Sequence, residues 1–283
     1  MPDSSVTARM QRQFELTDAD FAFLCRLVRD HTGIALSDSK RELVYGRIGR
    51  RLRKLQLASF REYCDLLKLR PEEELEHFVN AVTTNLTSFF REPHHFEHLA
   101  REVLPLLLAA SAQRRRIRIW SAGCSTGEEA YSIAMVLREH GDLRHWDVRV
   151  LATDVDSNVI ATARDGVYPR ERVAVSEERA ERWFRAVPGR PEALRVCPEV
   201  ASLVTFRQLN LMAPWPMRGP FDVIFCRNVV IYFDKATQRD LFERLAQLQQ
   251  PGAYLYIGHS ESLLRISDRY ELIGRTVWRR AAE

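Results

Sequence analysis

Cysteine is sparse and badly placed for cross-linking: five residues in 283, an odd number, scattered at Cys25, Cys64, Cys124, Cys197 and Cys226 with no Cys-x-x-Cys pair. That pattern argues against a disulfide framework and against a zinc site, and it fits a reducing compartment. Long apolar runs are missing as well. The opening MPDSSVTARMQRQFEL lacks the apolar stretch of a secretion signal, and no later segment approaches the roughly 20 apolar residues that span a bilayer. The expectation is a cytoplasmic chain with no membrane insertion. There is no internal repeat and no low-complexity tract. No Gly-x-Gly-x-x-Gly fingerprint and no phosphate-loop lysine occurs where a strand would turn into a helix, which weighs against nicotinamide and nucleoside triphosphate chemistry.

What is present begins with helices. Thr17 can cap a segment in which Phe21, Leu24 and Val28 recur at helical spacing, with Gly33 as a stop. Ser37 opens another, whose Val44, Ile48, Leu52 and Leu55 form one face while Arg47, Arg50, Arg51 and Lys54 form a second, cationic one. Net charge is only +4, yet residues 40–54 hold seven basic side chains against Glu42 alone, so the local excess says more about partners than the total does. A third helix from Ser59 ends before Pro71, which opens a fourth through Glu72, Glu73 and Glu74. Residues 1–75 are read as an all-helical N-terminal domain, 76–90 as a linker in which the motif-like stretch TTNLTSFFREPHHF begins, and 91–283 as a second domain.

In that second domain short β-branched or aromatic runs alternate with helical ones, the signature of a parallel sheet covered by helices. Strands are expected at 117–120, 148–153, 204–209, 221–226, 253–257 and 276–280. Residues 166–202, broken by prolines and glycines, are longer than a crossover needs and read as an inserted subdomain of a helix and short strands.

Three places carry chemistry. Arg118-Ile-Trp-Ser-Ala-Gly-Cys-Ser-Thr-Gly-Glu-Glu-Ala-Tyr is strand, small-residue turn, then helix, so Gly123 and Gly127 would let backbone approach a nucleotide-like ligand; alone, it reads equally as an ordinary turn. Val148-Arg-Val-Leu-Ala-Thr-Asp places Asp154 at a strand end, where Rossmann-like folds accept ribose hydroxyls; a helix cap is the other reading, and Asp156 suits it better. Glu129 lies in a first helical turn, where an acid is also simply a dipole partner. The strand through Phe221 runs into Arg227 and Asn228, with Tyr232 adding an aromatic face. His94, His95 and His98 share one helix without a carboxylate pair or cysteine on it, and are expected to be surface histidines, with no metal.

The chain resembles the chemotaxis receptor methyltransferases, the CheR family, over nearly its full length. The stretches that carry the likeness are Lys40-Arg-Glu-Leu-Val-Tyr-Gly-Arg-Ile-Gly-Arg-Arg-Leu-Arg, Thr84-Asn-Leu-Thr-Ser-Phe-Phe-Arg-Glu, Ser125-Thr-Gly-Glu-Glu-Ala-Tyr-Ser, Ile224-Phe-Cys-Arg-Asn-Val-Val-Ile-Tyr-Phe and Ile257-Gly-His-Ser-Glu-Ser. The resemblance implies an α/β fold: a Rossmann-like class I methyltransferase domain dependent on S-adenosylmethionine, with a small inserted β-subdomain, preceded by a small helical domain. It implies O-methylation of receptor glutamates, with S-adenosylhomocysteine as product. Carried over by position, Asn85, Thr87 and Arg91 fall at the methionine end of the cofactor, and Glu129, Asp154, Arg227 and Asn228 also line it. Asn210 and Leu211 fall by the adenine, and Tyr232 by the transferred methyl, so Tyr232 and Arg91 are the residues nearest the reaction.

The same likeness gives the basic helix a purpose, since Arg47, Arg50 and Arg53 match positions that meet the anionic cytoplasmic helices of receptors. Ala130 departs from a proline common in the family. The inserted subdomain matches too loosely to assign a partner; in some members it takes a receptor C-terminal peptide. The expected location is the cytoplasm, at membrane receptor arrays. A basic helix would also serve a methyltransferase acting on nucleic acid, but no nucleic-acid module or aromatic-interleaved basic sheet is visible. A non-catalytic sensor of the cofactor would have lost cofactor residues, and the set is present.

Overall fold

The computed structural model describes residues 13–110 and 113–282, which fall into two compact units, one of residues up to 30 together with 36–82, the other of 31–35 and 83 onward. The start of the expected helical domain, residues 1–12, lies outside the described residues.

The first unit is built of four helices: α1 (Asp18–Thr32), all but its last two residues, α2 (Arg41–Leu55), α3 (Phe60–Leu69) and α4 (Pro71–Val82). Their starts follow the local chemistry read from the sequence. The Thr17 hydroxyl accepts the Asp20 N–H at 3.1 Å, and Ser59 accepts that of Glu62 while Glu62 reaches back to the Ala58 N–H, so orphan donors of the first turns are satisfied reciprocally. A short 3₁₀ turn, Asp38–Lys40, precedes α2, so the helix opens later than Ser37. Val44, Ile48 and Leu52 are fully buried, each contributing roughly 1.5–3 kcal/mol by removal from water. Helix α4 continues to Val82 because its apolar positions Phe78, Val79 and Val82 are all buried, which carries the helical unit past the expected boundary at residue 75.

In the second unit, α5 (Pro93–His98) passes through a π-helical segment (Leu99–Val103) into α6 (Leu104–Ala110). Then come β1 (Arg116–Ala122), α7 (Glu128–His140), β2 (Asp147–Asp154), α8 (Ser157–Asp165), β3 (Val167–Pro169), α9 (Glu177–Trp183), β4 (Phe184–Val187), β5 (Arg190–Val196) and α10 (Pro198–Ala201). The chain ends through β6 (Val204–Gln208), β7 (Val223–Cys226), a 3₁₀ turn (Val230–Tyr232), α11 (Lys235–Gln247), β8 (Tyr254–Ile257), β9 (Tyr270–Gly274) and β10 (Val277–Arg280). Seven strands form one sheet in the order β6-β2-β1-β7-β8-β10-β9. The first five are parallel and the last two pairings antiparallel. Every residue of β7 is buried, as a central parallel strand covered on both faces requires. The chain moves outward from β1 through β2 to β6, then resumes beside β1 with β7. The strand order therefore reverses between β1 and β7, the place where such sheets open a crevice at their carboxyl ends.

The insert is a helix and a three-stranded antiparallel sheet, β3-β5-β4. It is anchored through Glu139 of α7, which pairs with Arg179 at 2.7 Å and accepts the Trp183 indole N–H at 2.8 Å. Strand β9 was not expected: its exposed Leu272 and Ile273 break the alternation of a half-buried strand, and it holds the sheet edge by main-chain pairing to β10. No described helix is long and apolar enough to cross a membrane.

Candidate functional site

The turn after β1 lies where β1 and β7 end side by side, with Ser121 opposite Phe225 in register. Gly123 and Gly127 both take left-handed backbone, φ +88° and +97°, a region open to glycine and strained for other residues. A Cβ on Gly123 would stand 2.3 Å from the Val229 side chain, so the turns after β1 and β7 approach closely enough that only hydrogen fits.

Asp154 closes β2 with its carboxylate turned to this turn: Oδ2 accepts the Ser125 N–H at 2.8 Å and Oδ1 the Asp156 N–H at 3.1 Å. Burial raises its pKa to about 6, against the opposing pull of those N–H groups. Asp156 caps α8, as expected, by accepting the Asn158 N–H at 2.9 Å. Its other oxygen does more, accepting the Asn85 amide at 2.7 Å and the Thr83 hydroxyl at 2.9 Å. The Ser125 hydroxyl donates to the Asn85 carbonyl at 2.9 Å. Asn85 is thus held beside Asp154, across about seventy residues of chain. Thr87 is half-buried in the same segment, and the Arg91 guanidinium turns back to the Leu86 carbonyl at 3.0 Å.

A second network lies under the turn. Glu129 accepts the Ser121 hydroxyl at 2.6 Å and pairs with Arg227 at 3.0 Å. Burial raises the Glu129 pKa, opposed by Arg227. The Arg227 side chain is 2% exposed; besides Glu129 it donates to the Arg91 carbonyl at 2.5 Å and stands 3.4 Å from Glu92. Its two terminal nitrogens therefore serve the protein's own groups, while its buried Nε has no hydrogen-bond partner among the described residues. Glu92 is held at about 2: burial pushes up, but the His259 hydrogen bond and the Arg227 charge outweigh it. Asn228 follows in left-handed conformation, φ +59°.

Asn210 and Leu211 follow β6. The Asn210 amide donates to the His31 carbonyl at 2.6 Å and its oxygen accepts the Met212 N–H, while the Leu211 carbonyl accepts from Arg244 at 2.6 Å. Tyr232 enters the fold through its main-chain carbonyl, which accepts the Ala35 N–H at 2.8 Å.

The histidines differ from expectation. His95 is fully buried, with Nε2 2.7 Å from the Thr276 hydroxyl, and His98 is 2.8 Å from the Tyr256 hydroxyl. α5 packs against the sheet there, and burial, aided by Arg227, pushes the His95 pKa down to about 3. A neutral imidazole with one hydrogen bond tolerates that burial. Glu92, His94 and His95 bring ligand-type atoms within 4.8 Å of one another. They are knit into protein contacts, Glu92 to Arg227 and His259, and both histidines to Thr276.

In the helical unit the cationic face divides. Arg47 donates to the Val82 carbonyl at 2.8 Å, and Arg51 grips the buried Glu74 at 2.6 and 2.5 Å beside the Tyr63 hydroxyl. Both support the fold, because the last turn of α4 leaves free carbonyls and Glu74 is buried. Arg50, Arg53 and Lys54 are exposed, with Arg53 3.2 Å from Gln13.

Sequence reasoning missed Thr83, Ser125, Glu92, Glu261 and the second role of Asp156. The one available signal was an acidic residue two places beyond a strand-end aspartate.

The group this site suits carries ribose hydroxyls, an ammonium and a carboxylate. Asp154 could offer acceptors to the first, Glu129 to the second, and Arg91 donors to the third. A doubly wound sheet with that donor set around its switch point is the arrangement of a class I, S-adenosylmethionine-dependent methyltransferase. Residues 85–278 match the family model for the CheR methyltransferase, SAM binding domain, and residues 19–83 that for the CheR methyltransferase, all-alpha domain. Among similar proteins, the chemotaxis protein methyltransferase of Salmonella typhimurium is 41% identical over 97% of this chain and 94% of that protein. The chemotaxis protein methyltransferase 2 of Pseudomonas aeruginosa is 45% identical over 94% of this chain and 95% of that protein. The chain belongs to the CheR methyltransferase family, and S-adenosylmethionine is its cofactor.

Proposed function

We propose that the chain transfers a methyl group from S-adenosylmethionine to glutamate side chains on the cytoplasmic helices of chemotaxis receptors, giving glutamyl methyl esters for sensory adaptation. The observation that carries this is the joining of Asn85, Ser125, Asp154 and Asp156 at the crevice end of β1 and β2, in a chain of this family. Asp154 accepts the ribose hydroxyls, Glu129 the ammonium, and Arg91 pairs with the carboxylate through charge-assisted hydrogen bonds. Asn85, Thr87 and Asn228 complete the amino-acid end, with Asn210 and Leu211 at the adenine; Arg227 acts by holding Glu129.

The cofactor, when bound, supplies an electrophilic methyl on a sulfonium. A substrate glutamate, with a reference pKa of about 4.3, is already ionised at neutral pH and needs no general base. The protein's share is then alignment and exclusion of water, with Tyr232 as a positioning group. Exposed Arg50 and Arg53 steer and register the anionic receptor helix; Arg47 contributes to the same surface while bracing α4. The chain acts from the cytoplasm at receptor arrays, and the insert is the place for a receptor C-terminal peptide or adaptor.

Transfer of labelled methyl to receptor cytoplasmic fragments tests the reading. Base-labile label that disappears with receptor Glu→Gln sites and with Asp154→Ala establishes carboxyl methylation at this site. Tight cofactor binding without label refutes it and points to a sensor or another substrate.

A further inference from the structure

We propose that Glu261 is a positioning residue for methyl transfer, its buried carboxylate fixing the 228–232 segment in the conformation that presents Asn228 and Tyr232 at the switch point. The inference rests on the reading of that segment as part of the transfer site.

Glu261 is 7% exposed, and both oxygens are occupied by main chain. Oε2 accepts the N–H groups of Gly258 at 2.6 Å and Asn228 at 2.9 Å; Oε1 accepts those of Val230 at 2.9 Å and Ile231 at 3.2 Å. The need for such an acceptor comes from the chain path. Asn228 is left-handed, and Val230–Tyr232 is a single 3₁₀ turn. The first N–H groups of a helical turn have no partner inside it. In a buried loop those donors require an acceptor from outside, and an anion that receives them directly makes the strongest kind of hydrogen bond. Two further features tie the same turn to the site. A Cβ on Gly258 would fall 2.4 Å from the Asn228 amide nitrogen, 2.9 Å from its main-chain nitrogen and 2.9 Å from Glu261. One residue on, His259 Nδ1 stands 3.0 Å from Glu92, the carboxylate beside Arg227. The turn after β8 therefore braces the exit of β7 from below, at Arg227, and along its length, at 228–231.

The chemistry makes an isosteric change informative. Glu261→Gln keeps shape but turns one double acceptor into an NH₂ facing two N–H donors, so the segment must move. A shift of about 1 Å in a positioning group costs roughly 100-fold in rate, whereas Asp154 and Asn85, which hold the cofactor from β2 and the 83–90 segment, are untouched. The experiment measures kcat with S-adenosylmethionine and a receptor cytoplasmic fragment, the cofactor Kd by calorimetry, and the melting temperature, for the native chain, Glu261→Gln, Gly258→Ala and Tyr232→Phe. The expected result is a kcat lowered roughly 100-fold in Glu261→Gln with a smaller rise in Kd, limited to the displaced Asn228 contact because Asp154 and Asn85 stay in place, and the same split in Gly258→Ala, which displaces the segment from the other side. Native kcat in Glu261→Gln beside a damaged Tyr232→Phe overturns the role of Glu261 alone. Native kcat in Tyr232→Phe overturns the reading of the segment, and the proposal with it. Where Glu261→Gln fails to fold, Gly258→Ala decides, and a native kcat in that variant refutes the proposal.

Discussion

As the proposed ribose acceptor, Asp154 should make cofactor affinity depend on pH in a range where most carboxylates do not titrate. Its pKa is raised from 3.8 to about 6 by burial, and the ribose hydroxyls it is assigned need an acceptor, so the anion is the binding form. With a pKa of about 6, roughly nine-tenths of the empty protein carries that anion at pH 7 and roughly one-tenth at pH 5. If the protonated form does not bind, the apparent Kd rises by about tenfold from pH 7 to pH 5 and is nearly flat between pH 7 and 8. The stability consequence has the opposite sign. A carboxylate whose folded pKa exceeds its unfolded one binds more protons when folded, so the empty protein loses stability as pH rises from about 4 to about 6. Two units amount to on the order of 3 kcal/mol. Isothermal calorimetry with S-adenosylmethionine across pH 5–8, in buffers of differing ionisation heat, reads both affinity and the proton release that binding of the anionic form requires near pH 6. Asp154→Asn serves as control: its affinity is poor throughout and its slope below pH 6 is lost. A flat Kd down to pH 5 would refute the reasoning outright, and an unchanged slope in Asp154→Asn would refute it and move the titration to Glu129.

Removing the Arg227 guanidinium as Arg227→Ala strands Glu129 and Glu92 without their buried partner, and urea unfolding should show a loss of about 3–5 kcal/mol; Arg227→Lys recovers only part, because one ammonium cannot span Glu129, Glu92 and the Arg91 carbonyl. Asp156→Asn retains an oxygen to cap α8 but presents an amide toward that of Asn85, and calorimetry should show cofactor binding weaker by roughly tenfold, or about 1.4 kcal/mol. The basic residues of α2 should separate into two kinds: Arg47→Ala lowers stability by about 1 kcal/mol through its lost bond to Val82, whereas Arg50→Glu with Arg53→Glu leaves melting unchanged and lowers kcat/KM for receptor fragments, an effect that shrinks as salt rises.

The parallel strands were legible because a buried central strand such as Val-Ile-Phe-Cys must be apolar throughout, and helix starts were legible wherever a side chain caps its own turn, as at Thr17 and Ser59. Asp154 could be named because a strand end is a fixed place in the fold. What stayed hidden depends on partners distant in sequence. Arg51 and Arg47 read as parts of one cationic face, since nothing in 40–54 announces Glu74 or the carbonyl of Val82. His95 read as exposed because its partner, Thr276, lies 181 residues away. The 83–90 segment carried no periodic signal, and only family resemblance singled it out; its shape comes from Asp156 and Ser125. Glu261 sat inside a quoted motif without a role, because its donors are main-chain N–H groups that a sequence does not display.

Two positions apart on the chain, Asp154 and Asp156 would, in the proposed site, serve two parts of one small molecule, the ribose directly and the amino acid through Asn85. Everything they address survives the reaction: the ribose hydroxyls, the ammonium and the carboxylate are common to the methyl donor and to its demethylated remnant. A site built on those shared groups grips spent cofactor about as well as fresh. On the proposed reading, receptor methylation would slow as S-adenosylhomocysteine accumulates relative to S-adenosylmethionine.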